Sequence, residues 1–155
     1  MPSGSTITSA PVSEEARGAP AAARSRVGGC LCGAVRYELR AAPTSSALCH
    51  CRSCRRASGA PVVGWITVAR AALLMTRGTP ARFESSPGIF RQFCGRCGSA
   101  LTYERQADAT IDITTASLDD AESFPPTCEV WTSDRLAWQP LQPALAHHER
   151  SSLES

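Results

Sequence analysis

Cys30-Leu31-Cys32, Cys49-His50-Cys51-Arg52-Ser53-Cys54 and Cys94-Gly95-Arg96-Cys97 are the segments on which the reading of this chain turns. Seven of the eight cysteines lie in them. Thiols so close in sequence rarely bridge to each other, because the Cα and Cβ separations of a disulfide are hard to reach locally. The same spacing suits sulfurs that converge on one tetrahedral metal ion, about 2.3 Å from each. Seven divides into four plus three: four thiolates close a structural site, and three leave one position open. The expectation is a scaffold for two metal ions, one site shut and one working.

Other accounts of the thiols are weaker. A disulfide framework fits a short secreted protein, but residues 1–26 hold no apolar run of the roughly 7–15 residues that an export signal needs. Bridges between clusters stay open as an alternative. Inert buried thiols explain any single cysteine, not the set C-x-C, C-x-C-x-x-C and C-x-x-C. An iron–sulfur cluster also takes four thiolates, and spacing alone does not choose between the two metals. The flanking Gly28, Gly29, Gly33, Gly95 and Gly98 favour turns around a small ion, so zinc is expected. Cys128 stands outside the pattern, in Pro126-Thr127-Cys128-Glu129-Val130-Trp131. It reads as a buried thiol packed like a small hydrophobe, with a place beside the open site as the sharper alternative.

The bulk numbers set bounds. A chain of 155 residues with net charge +2 fits one domain with a tail or two and points to neither nucleic acid nor a membrane surface. No apolar run approaches the roughly 18 residues of a membrane-spanning helix. All sixteen basic residues are Arg, so side-chain Schiff-base chemistry on Lys is excluded. Clustered free thiols without an export signal predict a reducing, cytoplasmic setting.

Along the chain, residues 1–26 are rich in Ser, Ala, Pro and Gly, with no hydrophobic period, and predict a disordered extension. Val35, Tyr37 and Leu39 alternate with charged residues, a half-buried strand. A partner strand is expected at 46–49, about one helical turn at 52–58, and a strand at 62–67. A hairpin is expected across Gly78-Thr79-Pro80, with strands at 89–93, 99–103, 110–114 and 128–131. About eight to ten short strands predict an all-β domain over 27–138, followed by a flexible tail over 139–155. A closed metal site would stabilise such a domain by tying its ends together, with an apparent binding free energy on the order of 10 kcal/mol.

Gly28-Gly29-Cys30-Leu31-Cys32-Gly33-Ala34-Val35-Arg36-Tyr37, Cys49-His50-Cys51-Arg52-Ser53-Cys54-Arg55 and Phe93-Cys94-Gly95-Arg96-Cys97-Gly98-Ser99 together resemble the glutathione-dependent formaldehyde-activating enzyme family, also called the centromere protein V family. The resemblance spans about residues 27–138. It implies the Mss4-like architecture, an all-β tent of short antiparallel sheets organised around zinc, with two zinc ions per chain. Carried over by position, Cys30, Cys32, Cys94 and Cys97 would hold the structural zinc, and Cys49, Cys51 and Cys54 the second, catalytic one. Where relatives often have His-Ile-Trp, this chain has Glu129-Val130-Trp131, which puts any role of that His in doubt. The implied activity joins formaldehyde to glutathione, giving S-(hydroxymethyl)glutathione, a carbon–sulfur lyase reaction run in reverse.

The residues support a chemical rationale for such an activity. Zinc with three thiolates is soft and should accept a further sulfur, holding an incoming thiol as thiolate near neutral pH. Arg52, Arg55 and Arg56 flank the open site; Arg52 and Arg55 are candidate carboxylate forks for glutathione, with a solvated basic turn as the plainer reading. His50 alternates with its cysteine neighbours and should face away from the metal. His147 and His148 fall in the expected tail, and Trp65, Trp131 and Trp138 read as core. The expected partners are a small thiol and a small aldehyde, without nucleic acid or membrane. Two other classes compete: a non-catalytic zinc-stabilised binding module, and a purely structural scaffold whose second site is closed by Cys128 or His50.

Overall fold

In the computed structural model, the described residues are 26–151. The expected extension over 1–26 therefore lies, except for Arg26, outside them, as do the last four residues of the expected tail. The order of elements is β1 (Val27–Gly29), β2 (Arg36–Leu39), β3 (Ser45–Cys49), α1 (Arg52–Ser58), β4 (Val63–Ala69), β5 (Leu73–Arg77), β6 (Ala81–Ser86), β7 (Ile89–Phe93), β8 (Ala100–Arg105), β9 (Thr110–Thr114), β10 (Cys128–Val130) and β11 (Ala146–His147). The all-β class expected from the alternating pattern is the one observed. The strands form a three-stranded sheet, β1-β2-β5, and an eight-stranded sheet, β11-β10-β3-β4-β9-β8-β7-β6.

Alternation decides what each face of the large sheet does. On one face Ile66, Val68, Ile111, Ile113 and Leu101 are buried against Tyr37 and Leu39 of the small sheet and Val35 just before it, forming the main core. Tyr37 keeps its hydroxyl satisfied there, 2.7 Å from Ser117 Oγ, and burial pushes its pKa up to about 12. On the other face Cys49, Cys54, Val63, Trp65 and Val130 form a second, smaller cluster with Tyr103 and Trp131. One residue of register separates Trp65 from Ile66, and with it a cavity wall from a core.

Three expectations about pairing are corrected. Strand β3 pairs with β4 and β10, not with β2. Residues 78–80 do not close a hairpin: β5 pairs with β2 and β6 with β7. The cause is burial, since Leu73 and Met75 pack on the main core whereas Phe83 on β6 is exposed. The sheets are also not wholly antiparallel, because β10 runs parallel to both β3 and β11.

Residues 139–151, read above as part of a flexible tail, instead follow a defined path along the sheet edge. Trp131 N–H donates to Arg150 O at 2.9 Å, Thr132 N–H to His148 O at 3.1 Å and His148 N–H to Glu129 O at 2.8 Å. An open edge at β10 would leave a row of main-chain groups unpaired, and β11 pairs with it. Trp138 remains mostly exposed, against its reading as core. Among the described residues no helix is long and apolar enough to cross a membrane.

Candidate metal centres and an adjoining cavity

Two knuckles build the first centre. In one, Cys30 N–H donates to Val35 O and Gly33 N–H to Cys30 O, both at 3.0 Å; in the other, Cys94 N–H donates to Ser99 O at 3.0 Å and Gly98 N–H to Cys94 O at 2.8 Å. Gly33 and Gly98 turn the chain at φ +70° and +76°, a left-handed conformation that costs a side-chain-bearing residue dearly. The knuckles bring Cys30, Cys32, Cys94 and Cys97 together with all four sulfurs within 4.8 Å of one another. Cys30 and Cys32 sulfurs are 3.6 Å apart, and Cys32 and Cys94 sulfurs 3.8 Å. A tetrahedron with bonds of about 2.3 Å has edges of about 3.8 Å, so the quartet fits a four-coordinate ion. Main-chain and hydroxyl donors serve its sulfurs: Val35 N–H reaches Cys30 Sγ at 3.2 Å, and Ser99 Oγ lies 3.3 Å from Cys97 Sγ. The Ser99 hydrogen bonds hold the Cys97 thiol down to about 5.

The second centre is local. Cys49 ends β3, and Cys51 caps α1, its sulfur accepting from Cys54 N–H at 3.3 Å. Cys54 sits on the buried side of that helix, which runs two turns where one was expected. The sulfurs of Cys49, Cys51 and Cys54 lie within 4.8 Å of one another; neither Cys128 nor His50 joins them. Hydrogen bonds from Cys49 and Cys54 hold the Cys51 thiol down to about 2, and the same contact with Cys51 drives Cys49 up. Left to themselves, the sulfurs share protons unevenly; a soft cation would let all three be thiolates.

His50 faces away from the trio, as alternation requires, and is buried with Glu129, its Nε2 2.6 Å from Glu129 Oε2. Glu129 Oε1 also accepts Gln142 N–H at 2.7 Å. Glu129 thus ties the metal-bearing loop to the C-terminal segment.

A cavity of about 680 Å³ opens beside the trio, lined at this end by Cys49, Cys51, Cys54, Arg52, Trp65 and Arg91. Arg52 therefore borders it. Arg55 does not: its Nε donates to His50 O and its Nη2 to Asp134 O, both at 3.0 Å, bracing the loop. Arg91, which sequence reasoning missed, lies with its guanidinium nitrogens 3.8 and 3.9 Å from Cys54 Sγ and over the Tyr103 ring at 4.9 Å. The signal was present, an Arg in the middle of the apolar run Ile89-Phe90-Arg91-Gln92-Phe93. Trp65, read as core, is buried yet lines this cavity, against Tyr103 at a centroid distance of 6.3 Å.

Residues 25–134 match the family described as glutathione-dependent formaldehyde-activating enzyme. A crystal structure of a Rhodobacter sphaeroides protein is similar, at 25% identity and a TM-score of 0.50, over 60% of this chain and 87% of that one. No curated protein matches the chain significantly.

Proposed function

The chain belongs to the glutathione-dependent formaldehyde-activating enzyme family, and from that premise we propose that it is a zinc enzyme of the carbon–sulfur lyase type. Its reaction joins a small thiol such as glutathione to a small aldehyde such as formaldehyde. The observation that carries this reading is the trio Cys49, Cys51 and Cys54, three sulfurs clustered without a fourth ligand among the described residues, on the wall of a cavity of about 680 Å³. In this reading Cys30, Cys32, Cys94 and Cys97 hold a structural zinc, and the trio holds the second. Zinc bound by three thiolates favours a further sulfur and stabilises an incoming thiol as thiolate.

The chain's own residues supply the rest. Arg91 places positive charge beside Cys54, where negative sulfur would otherwise accumulate. Arg52, exposed at the cavity, offers a fork for a substrate carboxylate, whereas Arg55 has its donors engaged and acts by positioning. Trp65 and Tyr103 wall the space in which thiol and aldehyde meet, which supplies proximity. In the reaction the thiol sulfur forms a bond to the carbonyl carbon, the C=O π pair moves to oxygen, and that oxygen takes up the proton the thiol gave up. Nothing is oxidised or reduced. Eight unbridged thiols suit a reducing compartment such as the cytoplasm.

The test is metal analysis with a thiol titration. The expected result is two zinc ions per chain, with cobalt substituted at one of them changing its spectrum on addition of glutathione, and ¹³C-formaldehyde consumed faster than in buffer. A metal spectrum indifferent to every small thiol would move the chain to the binding-module reading.

A further inference from the structure

The cavity has a second end. On the face of the large sheet that carries Cys49, the alternating residues Ala47 and Ser45 continue along β3, Trp65 and Thr67 along β4, and Asp112 and Thr110 along β9. All of these line the cavity. Cys49 and Ser45 are four residues apart on one strand, about 13 Å at about 3.3 Å per residue. From Ser45 a hydrogen-bonded relay crosses two strands: Ser45 Oγ donates to Thr67 Oγ1 at 2.8 Å, and Thr67 Oγ1 to Asp112 Oδ1 at 2.7 Å. Two strand spacings of about 4.8 Å across and about 13 Å along put Asp112 about 16 Å from Cys49.

Asp112 is mostly buried, and among the described residues no cation pairs with it. Arg105, whose charge acts on Asp112, donates through Nε to the Tyr103 hydroxyl at 3.3 Å. Asp108 adds a second acid to this end of the cavity, whereas Glu104 is already paired with Arg82 at 2.8 Å. Burial pushes the Asp112 carboxyl pKa up despite the Thr67 hydrogen bond and the charge of Arg105. A half-sequestered carboxylate without a salt-bridge partner is costly, and a ligand's cation offsets that cost. Between the two ends stands Trp65, nine-tenths buried, whose Nε1–H has no partner among the described residues. The wall thus has a carboxylate without a salt-bridge partner and an N–H donor without an acceptor among the described residues.

We propose that Asp112, oriented by Thr67 and Ser45, is an ammonium-binding subsite that selects thiol substrates carrying an amine roughly 10 Å from the sulfur. This rests on the thiol-binding reading of the cysteine trio. The γ-glutamyl ammonium of glutathione stands about eight bonds from its sulfur, roughly 10 Å when extended. With about 3.8 Å from that sulfur to the trio and about 2.8 Å from ammonium to carboxylate, the extended molecule covers the span. Thiols that end in an uncharged group leave the Asp112 carboxylate unpaired and bind more weakly.

The experiment compares glutathione with its N-acetyl derivative, in which the ammonium becomes an amide, by titration into the zinc-loaded protein. The parent chain should bind the N-acetyl form about tenfold or more weakly. Asp112→Asn, with Asp112→Ser in parallel, should bind the two thiols within about twofold of each other. Equal affinities in the parent chain, or undiminished discrimination in both variants, overturn the subsite and leave the proposed function standing. Failure of both thiols to bind the parent chain overturns the two together. The comparison within the parent chain decides even if the variants fold poorly.

Discussion

The two cysteine clusters offer the same donor atom in opposite settings. The quartet joins knuckles 62 residues apart, Cys32 to Cys94, and its sulfurs are served by Val35 N–H and the Ser99 hydroxyl. The trio comes from six consecutive residues, one strand end and one helix start, so it ties nothing distant together. Its neighbours are an arginine and a cavity rather than a second knuckle. In the proposed reading, loop closure makes the first cluster matter for stability, and a position left to a substrate makes the second matter for chemistry. Spacing along the chain, more than ligand type, separates the roles.

The sharpest way to break this comparison is to damage each cluster alone. Cys94→Ser removes one ligand of the quartet and should cost several kcal/mol, a large part of a domain's whole stability, since structural zinc supplies on the order of 10 kcal/mol. Circular dichroism and thermal melts should show a largely unfolded chain. Cys51→Ser should behave differently: the fold persists with the melting temperature moved by a few degrees, while turnover with thiol and formaldehyde falls by about a hundredfold or more, about 2.7 kcal/mol of barrier. If Cys51→Ser unfolds the protein as completely as Cys94→Ser, the division of labour is wrong. Arg91→Met sits lower on the scale. It removes the guanidinium beside Cys54 while keeping much of the packing on Tyr103, and should weaken thiol binding by about tenfold with little change in the melt.

The clusters themselves were legible because ligand spacing is a local property. So were the faces of β2 and β9, whose period of two assigns inside and outside residue by residue; β4 read only as an apolar run, and its cavity face, with Trp65, did not show. Partners were not legible. Leu73 and Met75 look no different from a hairpin arm until the Tyr37 core claims them, and a parallel pairing such as Cys128 with Ala47 joins residues 81 positions apart. The segment 139–151 hid for another reason. Its order comes mainly from main-chain hydrogen bonds to the edge of β10 and from Glu129, which composition does not report. Arg91 and Asp112 reach the cavity only through sheet register, so their roles emerged only once β7, β8 and β9 were aligned.

The smallest effect concerns what assists the quartet from outside. Arg36, on β2 just after the first knuckle, forms a two-pronged ion pair with Asp119, and both side chains are substantially exposed. The pair holds the Asp119 carboxyl below the usual carboxylate range, the hydrogen bonds from Arg36 being the main cause. A depressed folded-state pKa contributes stability that is present above the unfolded value, near 3.8, and lost as pH falls through the folded one. Because water screens the pair, Asp119→Asn should cost less than about 1 kcal/mol near neutral pH. Acid also strips metal from thiolates, so the parent chain's own pH curve mixes two effects. The difference between parent and Asp119→Asn at each pH isolates the ion pair, and it should shrink as pH falls below about 3.8 and vanish once the folded-state carboxyl is protonated, as followed by denaturant unfolding. The neighbouring backbone bond, Asp119 N–H to Val27 O at 3.0 Å, survives the substitution and keeps the segment against β1. Thiol affinity at the trio should therefore not move at all; a change there would mean that the two centres are coupled rather than independent.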